Sequence, residues 1–440
     1  MRKILASLLL GIGYLLPVHG LLAPVQAEVL ECAECEEAPP PTPPLPNFCG
    51  PLCERSKLTG DWHGVRTCLL ESGMMWDIDH VNFLFGNVSG GRQQGFTFAG
   101  HGDYVMNWDL SKVIDHQGLF FKLRAEHRYG ESIGGYDGTF LPSTIPTDLP
   151  VSNSENIYLT NVLFTQMLSE TFGVFAGKMD TLDGDMNAYA HKRGKDQFSN
   201  LAFVANPLLL RAVPYCTLAT GFVILEDMQP LFTFTVLNAK DTTRNSGFGE
   251  LFEEGCVLSA QYRKPYEIEG FAGHVVVGGA WNSRKYVSLG QDPRILLPDV
   301  PIAQTSGTWA VFGNFDQQLV SYSGAPGAGW GLFGRASVAD NEANPLAQFF
   351  SLGIGGNSPI CGRHQDTFGV GYYYLGTSNQ IGVFLQAALG PIGDGQGVEM
   401  FYNYEVTPWF HLTADMQVLQ PEVVNLDPAL LVGLRAKIDF

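Results

Sequence analysis

The sequence is short of charge, and shortest of positive charge. Only 16% of the 440 residues are Asp, Glu, Lys or Arg, and 26 basic against 44 acidic residues leave a formal net charge of −18 at pH 7. That sign excludes a sheath around phosphates, so nucleic acid is not an expected partner. At 45% hydrophobic residues the chain is equally far from a disordered acidic polymer. Long apolar runs are missing as well. The one near the N-terminus is interrupted by Pro17, His19 and Pro24 before it reaches the roughly 20 residues of a helical span, which excludes a bundle of membrane helices. The catalytic signatures GxSxG, HExxH and the Walker loop do not occur. Carboxylate pairs such as Asp77 and Asp79 suit glycoside hydrolysis only by accident, because an acidic chain always offers them. The reading is therefore not an enzyme, with no catalytic residue, no cofactor and no metal assigned. What the chain does hold is 51 Gly, 29 Phe and 16 Tyr, a combination that favours many short strands joined by turns.

Residues 1–27 read as a signal peptide: Arg2 and Lys3 are basic, Ile4 to Leu16 are almost all apolar, and Val25-Gln26-Ala27 ends in small residues. No Cys follows Ala27, so a lipoprotein attachment point is lacking. Residues 28–57 form a linker in which Cys32, Cys35, Cys49 and Cys53 surround Pro39-Pro40-Pro41-Thr42-Pro43-Pro44. Proline supplies neither a helix nor a ladder with N–H donors, so the segment is a stiff spacer. The paired cysteines have the spacing of a zinc site; an oxidising compartment argues instead for two disulfides. Cys68, Cys216, Cys256 and Cys361 are scattered and form no ligand set. A short amphipathic helix is predicted over about 60–73, where Trp62, Val65, Leu69 and Leu70 recur at helical spacing and Gly73 ends it.

From about residue 74 to 440 the period is two. Phe121, Leu123, Ala125 and Tyr129 alternate with Lys122, Arg124, Glu126 and Arg128; Phe410, Leu412, Ala414, Met416 and Val418 oppose His411, Thr413, Asp415 and Gln417; Val432, Leu434, Ala436 and Ile438 oppose Gly433, Arg435, Lys437 and Asp439. A soluble sandwich of this kind uses about 100 residues, and no linker divides the chain after residue 60. The alternative is one all-β transmembrane antiparallel barrel of about 16 strands with its apolar face outward. Trp76, Tyr129, Trp281, Trp309 and Trp409 are candidates for the interfacial girdles. The terminal Phe440 suits recognition by the outer-membrane assembly machinery.

Several segments resemble, in order, the carbohydrate-selective porin family (OprB-like). They are Leu58-Thr59-Gly60-Asp61-Trp62 with Gly64 and Arg66, Ser89-Gly90-Gly91-Arg92, Arg128-Tyr129-Gly130-Glu131-Ser132, Ala176-Gly177-Lys178-Met179-Asp180, Gly362 to Tyr372, and Glu399 to Gln417. His63 stands where that family more often has Gly. The resemblance covers about residues 58–440 and implies a 16-stranded outer-membrane porin through which monosaccharides, glucose above all, diffuse passively into the periplasm. It also implies a waist where an arginine and a glutamate flanked by aromatics meet the sugar, without fixing that pair to positions. A general diffusion porin and an envelope-anchoring barrel whose linker binds a periplasmic partner are the competing readings. Outer-membrane lipid and lipopolysaccharide would surround the barrel, and association into a homotrimer is left open.

Candidate sugar contacts follow from parity. Charge on the lipid face costs about 2–4 kcal/mol per Arg or Lys at the midplane, so Lys122, Arg124, Glu126 and Arg128 are expected to face the pore, as guanidinium donors and carboxylate acceptors for hydroxyls. Lys178 and Asp180 are expected to share an inward face in the same way. The basic patch His191-Lys192-Arg193-Gly194-Lys195-Asp196 has no period; it reads either as an inward loop narrowing the channel or as an external loop pairing with lipopolysaccharide phosphates.

Overall fold

The computed structural model describes residues 47–440, except positions 293, 296, 298, 324 and 326. The expected signal peptide and most of the expected linker, including Cys32 and Cys35, lie outside the described residues. Because alternating sequences place one set of side chains on each face, the chain lays down sixteen strands. The first eight are β1 (Met74–Ser89), β2 (Gly95–Asp109), β3 (Leu119–Gly130), β4 (Tyr158–Met167), β5 (Phe172–Asp180), β6 (Cys216–Glu226), β7 (Gln229–Asn238) and β8 (Cys256–Ile268). The second eight are β9 (Phe271–Val287), β10 (Gln304–Ser321), β11 (Gly329–Ala339), β12 (Leu346–Asn357), β13 (Thr367–Thr377), β14 (Gly395–Thr407), β15 (Phe410–Gln420) and β16 (Ala429–Asp439). Each pairs antiparallel with its neighbours in sequence, and β16 returns to β1, with Asp79 opposite Asp439 and Leu84 opposite Leu434. Closure leaves no unpaired edge, the condition for crossing lipid with strands.

The two ends of the barrel differ. At one end the links are as short as Asp227-Met228 and Glu269-Gly270; at the other, segments 131–157, 181–215 and 239–255 join successive strands. Short periplasmic turns opposite long external loops are the habit of outer-membrane barrels. The greasy face is outside: Leu258, Val277, Val311, Val370, Met400, Leu412, Val418 and Leu434 are exposed, whereas Arg124, Glu126, Arg128, Asp415, Gln417 and Arg435 are buried. Trp281 and Trp309 are exposed register partners, as girdle residues should be. Tyr129 also lies on the outer wall, its hydroxyl donating to Asn82 Oδ1 at 2.6 Å and lying 2.7 Å from His80 Nε2.

Below the short-turn end sits a 3-10 turn, Trp62–Gly64, followed by the helix Val65–Glu71, shorter than the sequence suggested. His63 adopts the left-handed conformation (φ 58°, ψ 38°), the backbone that glycine takes most readily. Arg66 is buried and donates to the carbonyls of Gly60 at 2.8 Å and Phe440 at 2.7 Å, so the helix is fastened to the last residue of the barrel. The expectation of two linker disulfides is corrected at Cys49 and Cys53, which carry free thiols. Cys49 Sγ lies 3.8 Å from Asp61 Oδ2, and neither cysteine joins a metal-ligating group among the described residues. Cys361, in the turn between β12 and β13, is disulfide-bonded.

The lumen is not simply a wet tube. Segment 181–215 turns into it and brings Phe198 and Phe203 against the wall, with ring centroids 4.6 Å apart. Phe198 meets Phe401 at 4.9 Å and Phe333 at 5.3 Å, and Phe203 meets Tyr373 at 5.9 Å. Glycine makes the room: a Cβ on Gly369 would fall 2.6 Å from Phe198 Cζ, and one on Gly371 2.5 Å from Phe203 Cε1. Phe83 and Phe85 of β1 also face inward and are buried in the same cluster.

Candidate functional site

The inward loop is anchored by local hydrogen bonds before any long-range charge is considered. Asn200 caps the short helix Leu201–Val204 by accepting from the backbone N–H of Ala202. The backbone N–H groups of Ser199 and Asn200 donate to the carboxylate of Glu399 on β14, at 2.6 and 3.0 Å. Arg335 on β11 donates to the carbonyls of Phe203 and Ala190 at 2.9 and 2.6 Å and to Asp185 at 2.9 Å. These are buried polar groups brought to partners by the wall, as burial requires.

The opposite flank of the loop carries the charge. Arg193, in left-handed backbone at φ 57°, donates through Nη1 to Asp180 at 2.9 Å and Asp183 at 2.8 Å, and through Nη2 to Glu126 at 2.5 Å and Tyr215 Oη at 2.8 Å. Tyr215 in turn donates to Glu126 Oε2 at 2.6 Å. Arg124 is clamped between Asp103, 3.1 Å from its Nε, and Asp180 and Asp183, 2.9 and 2.7 Å from its Nη1. Lys195 reaches both Asp79 and Asp103 at 2.7 Å. A guanidinium fork among several carboxylates satisfies its geometry well, and in a buried setting the loss of any partner strands the rest.

Of the residues singled out by parity, Arg124, Glu126 and Asp180 therefore come together, and Lys122, half-buried, joins their edge through Asp183 at 3.2 Å. Arg128 faces the same side of β3 but lies outside this cluster, near the loop end, donating to the Gly130 carbonyl at 2.5 Å. Lys178 is a correction. It stands in register with Val162 and Leu218, lines a recess with Leu159 and Phe164, which are exposed on the outer face, and donates to the carbonyls of Thr243 and Asn245 at 3.4 and 2.7 Å. Asp180 ends β5 and turns inward, so the two do not share a face. The loop carbonyls give the ammonium the partners that lipid cannot.

Sequence reasoning gave Asp79 and Asp103 no site role and missed Asp183 and Tyr215. The period-two rule on β1 and β2 marks Asp79 and Asp103 as inward, and they lie in register with each other; the two loop residues carry no such signal. The basic run divides, with Arg193 and Lys195 buried inside and Lys192 exposed. His101, Asp103 and Glu126 come close enough to share an ion, but the two carboxylates already serve Arg124, Arg193 and Lys195. The ring Nδ1 of His101 faces the carbonyls of Pro146 and Leu149, each at 3.1 Å. This donor set suits a cation cluster built from side chains, not a metal.

Between the loop and the wall from β4 to β10 a cavity of about 350 Å³ remains, whose lining includes Phe175, Thr233, Ser259, Gln261, Arg263 and Phe312. It combines flat apolar plates with hydroxyl and amide groups and can hold a small polar solute.

The chain is similar to Porin B of Pseudomonas aeruginosa, 22% identical over 427 residues that cover 87% of this chain and 91% of that protein. Its fold matches the high-pH structure of Pseudomonas putida OprB with a TM-score of 0.76 at 20% identity, over 88% of this chain and 99% of that one. The low-pH structure of the same protein matches with a TM-score of 0.56 at 17% identity, over the same shares. The model of the carbohydrate-selective porin, OprB family, matches residues 93–440. With most of its length so matched, the chain belongs to the OprB family of carbohydrate-selective porins of the Gram-negative outer membrane.

Proposed function

We propose that this porin passes monosaccharides, glucose above all, from outside the cell to the periplasm by passive diffusion, with no chemical step and no cofactor. The observation that carries the reading is the restriction of the lumen by segment 181–215. The loop replaces a wide aqueous channel with a chamber of about 350 Å³ in which Thr, Ser and Gln side chains stand beside aromatic rings. A hexose presents hydroxyls to the first and C–H faces to the second. In this reading Arg124, Glu126 and Asp180 act chiefly by holding the loop in place, since their charges are spent on Arg193 and its neighbours. Lys122 and Asp183, both about one-third exposed, are the charged groups left to meet a solute at the edge of the cluster. Selectivity comes from binding strong enough to admit the sugar and weak enough to release it.

The test is swelling of liposomes that hold the purified protein, with glucose compared against a neutral non-sugar solute of equal size. Faster, saturable entry of glucose is expected. Equal rates for the two solutes would show a general diffusion pore and overturn the reading.

A further inference from the structure

We propose that the outer mouth of the barrel carries a capture site for neutral polyhydroxylated sugars, with Arg128 and Asp148 as its donor and acceptor; this rests on the functional reading above. Segment 131–157 lies at the mouth and borders an open recess of about 690 Å³, within the range of small-molecule sites. Arg128, Ser132, Tyr136, Phe140 and Asp148 line it.

The unspent hydrogen-bonding capacity of these groups points to a ligand. Arg128 is only 3% exposed, yet among the described residues its one hydrogen bond runs to the Gly130 carbonyl, and its Nε has no partner. Asp148, half-buried on the same cavity, accepts from Ser132 Oγ at 3.2 Å and forms no ion pair with Arg128. Arg124, four residues earlier on the same face, is by contrast clamped between three carboxylates. A guanidinium and a carboxylate that line one cavity without bridging each other are completed by a vicinal diol, whose oxygens accept from the first and whose hydroxyls donate to the second.

The walls fit the same ligand. Tyr136 is held by its hydroxyl to Glu131 Oε1 at 2.8 Å, the Phe140 main chain by its N–H to Glu422 at 2.8 Å, and both side chains pack against the buried core, which gives the recess two aromatic walls for the C–H face of a sugar. Glu131 and Glu155 stand exposed on the rim. With Asp148 they outnumber the single arginine, so the site disfavours anionic sugars such as uronates and sugar phosphates by like-charge repulsion. Position at the loop end lets the site collect sugar before it reaches the restricted lumen.

The experiment is calorimetric titration of the detergent-solubilised full barrel with glucose and with glucuronate, for the wild type, Arg128→Gln and Asp148→Asn. Circular dichroism and heat-modifiable gel mobility report that the barrel is folded. Glucose binding by the wild type, weakened about tenfold or more in each folded variant, with glucuronate binding far more weakly, is the expected result. Should Arg128→Gln fail to fold, Asp148→Asn alone decides, since that side chain is only half-buried. Glucose binding by the wild type that persists undiminished in the folded variants overturns the capture site and leaves the functional reading standing. A wild type that neither binds glucose nor favours it in liposome swelling overturns both.

Discussion

Arg193 Nη2 lies 2.5 Å from Glu126 Oε1, and both side chains are more than nine-tenths buried. The contact ties a loop residue to a strand 67 positions earlier in the chain, and it shares its guanidinium with Asp180 and Asp183. Arg193→Ala would leave three carboxylates facing one another with Arg124 as their main remaining counter-ion. Breaking a buried pair from one side costs about 3–5 kcal/mol. The expected outcome is a lower thermal midpoint together with a larger single-channel conductance, because the loop leaves the lumen. Arg193→Lys should fall between, since an ammonium cannot reproduce the fork. Wild-type conductance and stability in Arg193→Ala would show that the loop is held elsewhere.

The apolar contact that opposes this clamp makes a second prediction. Phe203 fills space left by Gly371, so the two sites must be coupled. Phe203→Ala should cost about 3–5 kcal/mol through the cavity it opens, and Gly371→Val about 1–3 kcal/mol through overpacking. Combining Gly371→Ala with Phe203→Leu should cost less than the sum of the single changes. Additive costs in a chemical-denaturation cycle would mean that ring and glycine do not share one space.

Much of the wall was legible because lipid on one side and water or protein on the other impose a strict alternation on each strand. Lys122, Arg124, Glu126 and Arg128 on β3, Asp415 and Gln417 on β15 and Arg435 on β16 all stand on the inner side. Parity could not say what those side chains meet. Their partners come from segment 181–215, which has no period, and the inward Phe83 and Phe85 break the expected polar lining because they face that loop and not water. The expectation that Lys178 and Asp180 share an inward face failed because Lys178 keeps the outward parity of Ala176, whereas Asp180, the last residue of β5, leaves that parity and turns to Arg124 and Arg193.

Lys178 is therefore predicted to be indifferent to sugar. Lys178→Met removes two hydrogen bonds from the ammonium to the segment between β7 and β8. Bonds of that kind are each worth about 1.5–3 kcal/mol, so faster proteolysis within residues 239–255 is expected at an unchanged ratio of glucose to control-solute entry. A shifted ratio would return Lys178 to the pore.

The last prediction concerns pH. Glu422, in the link between β15 and β16, is fully buried; its Oε2 accepts from the Phe140 backbone N–H at 2.8 Å and its Oε1 has no hydrogen-bond partner among the described residues. Burial, aided by the nearby Asp137 and Asp394 carboxylates, pushes its carboxyl up from 4.5 to about 7. A carboxyl whose folded value exceeds its unfolded value favours the fold while it is protonated. This stabilisation is complete below pH 4.5 and is lost as pH rises through 7, an effect on the order of 3 kcal/mol. Glu422→Gln keeps the side chain neutral at every pH. Thermal midpoints of wild type and variant should agree near pH 4 and diverge toward pH 8, with the variant the more stable there. Parallel decline of the two across that range would mean that Glu422 is already ionised in the folded barrel and that the attachment of segment 131–157 does not depend on its proton.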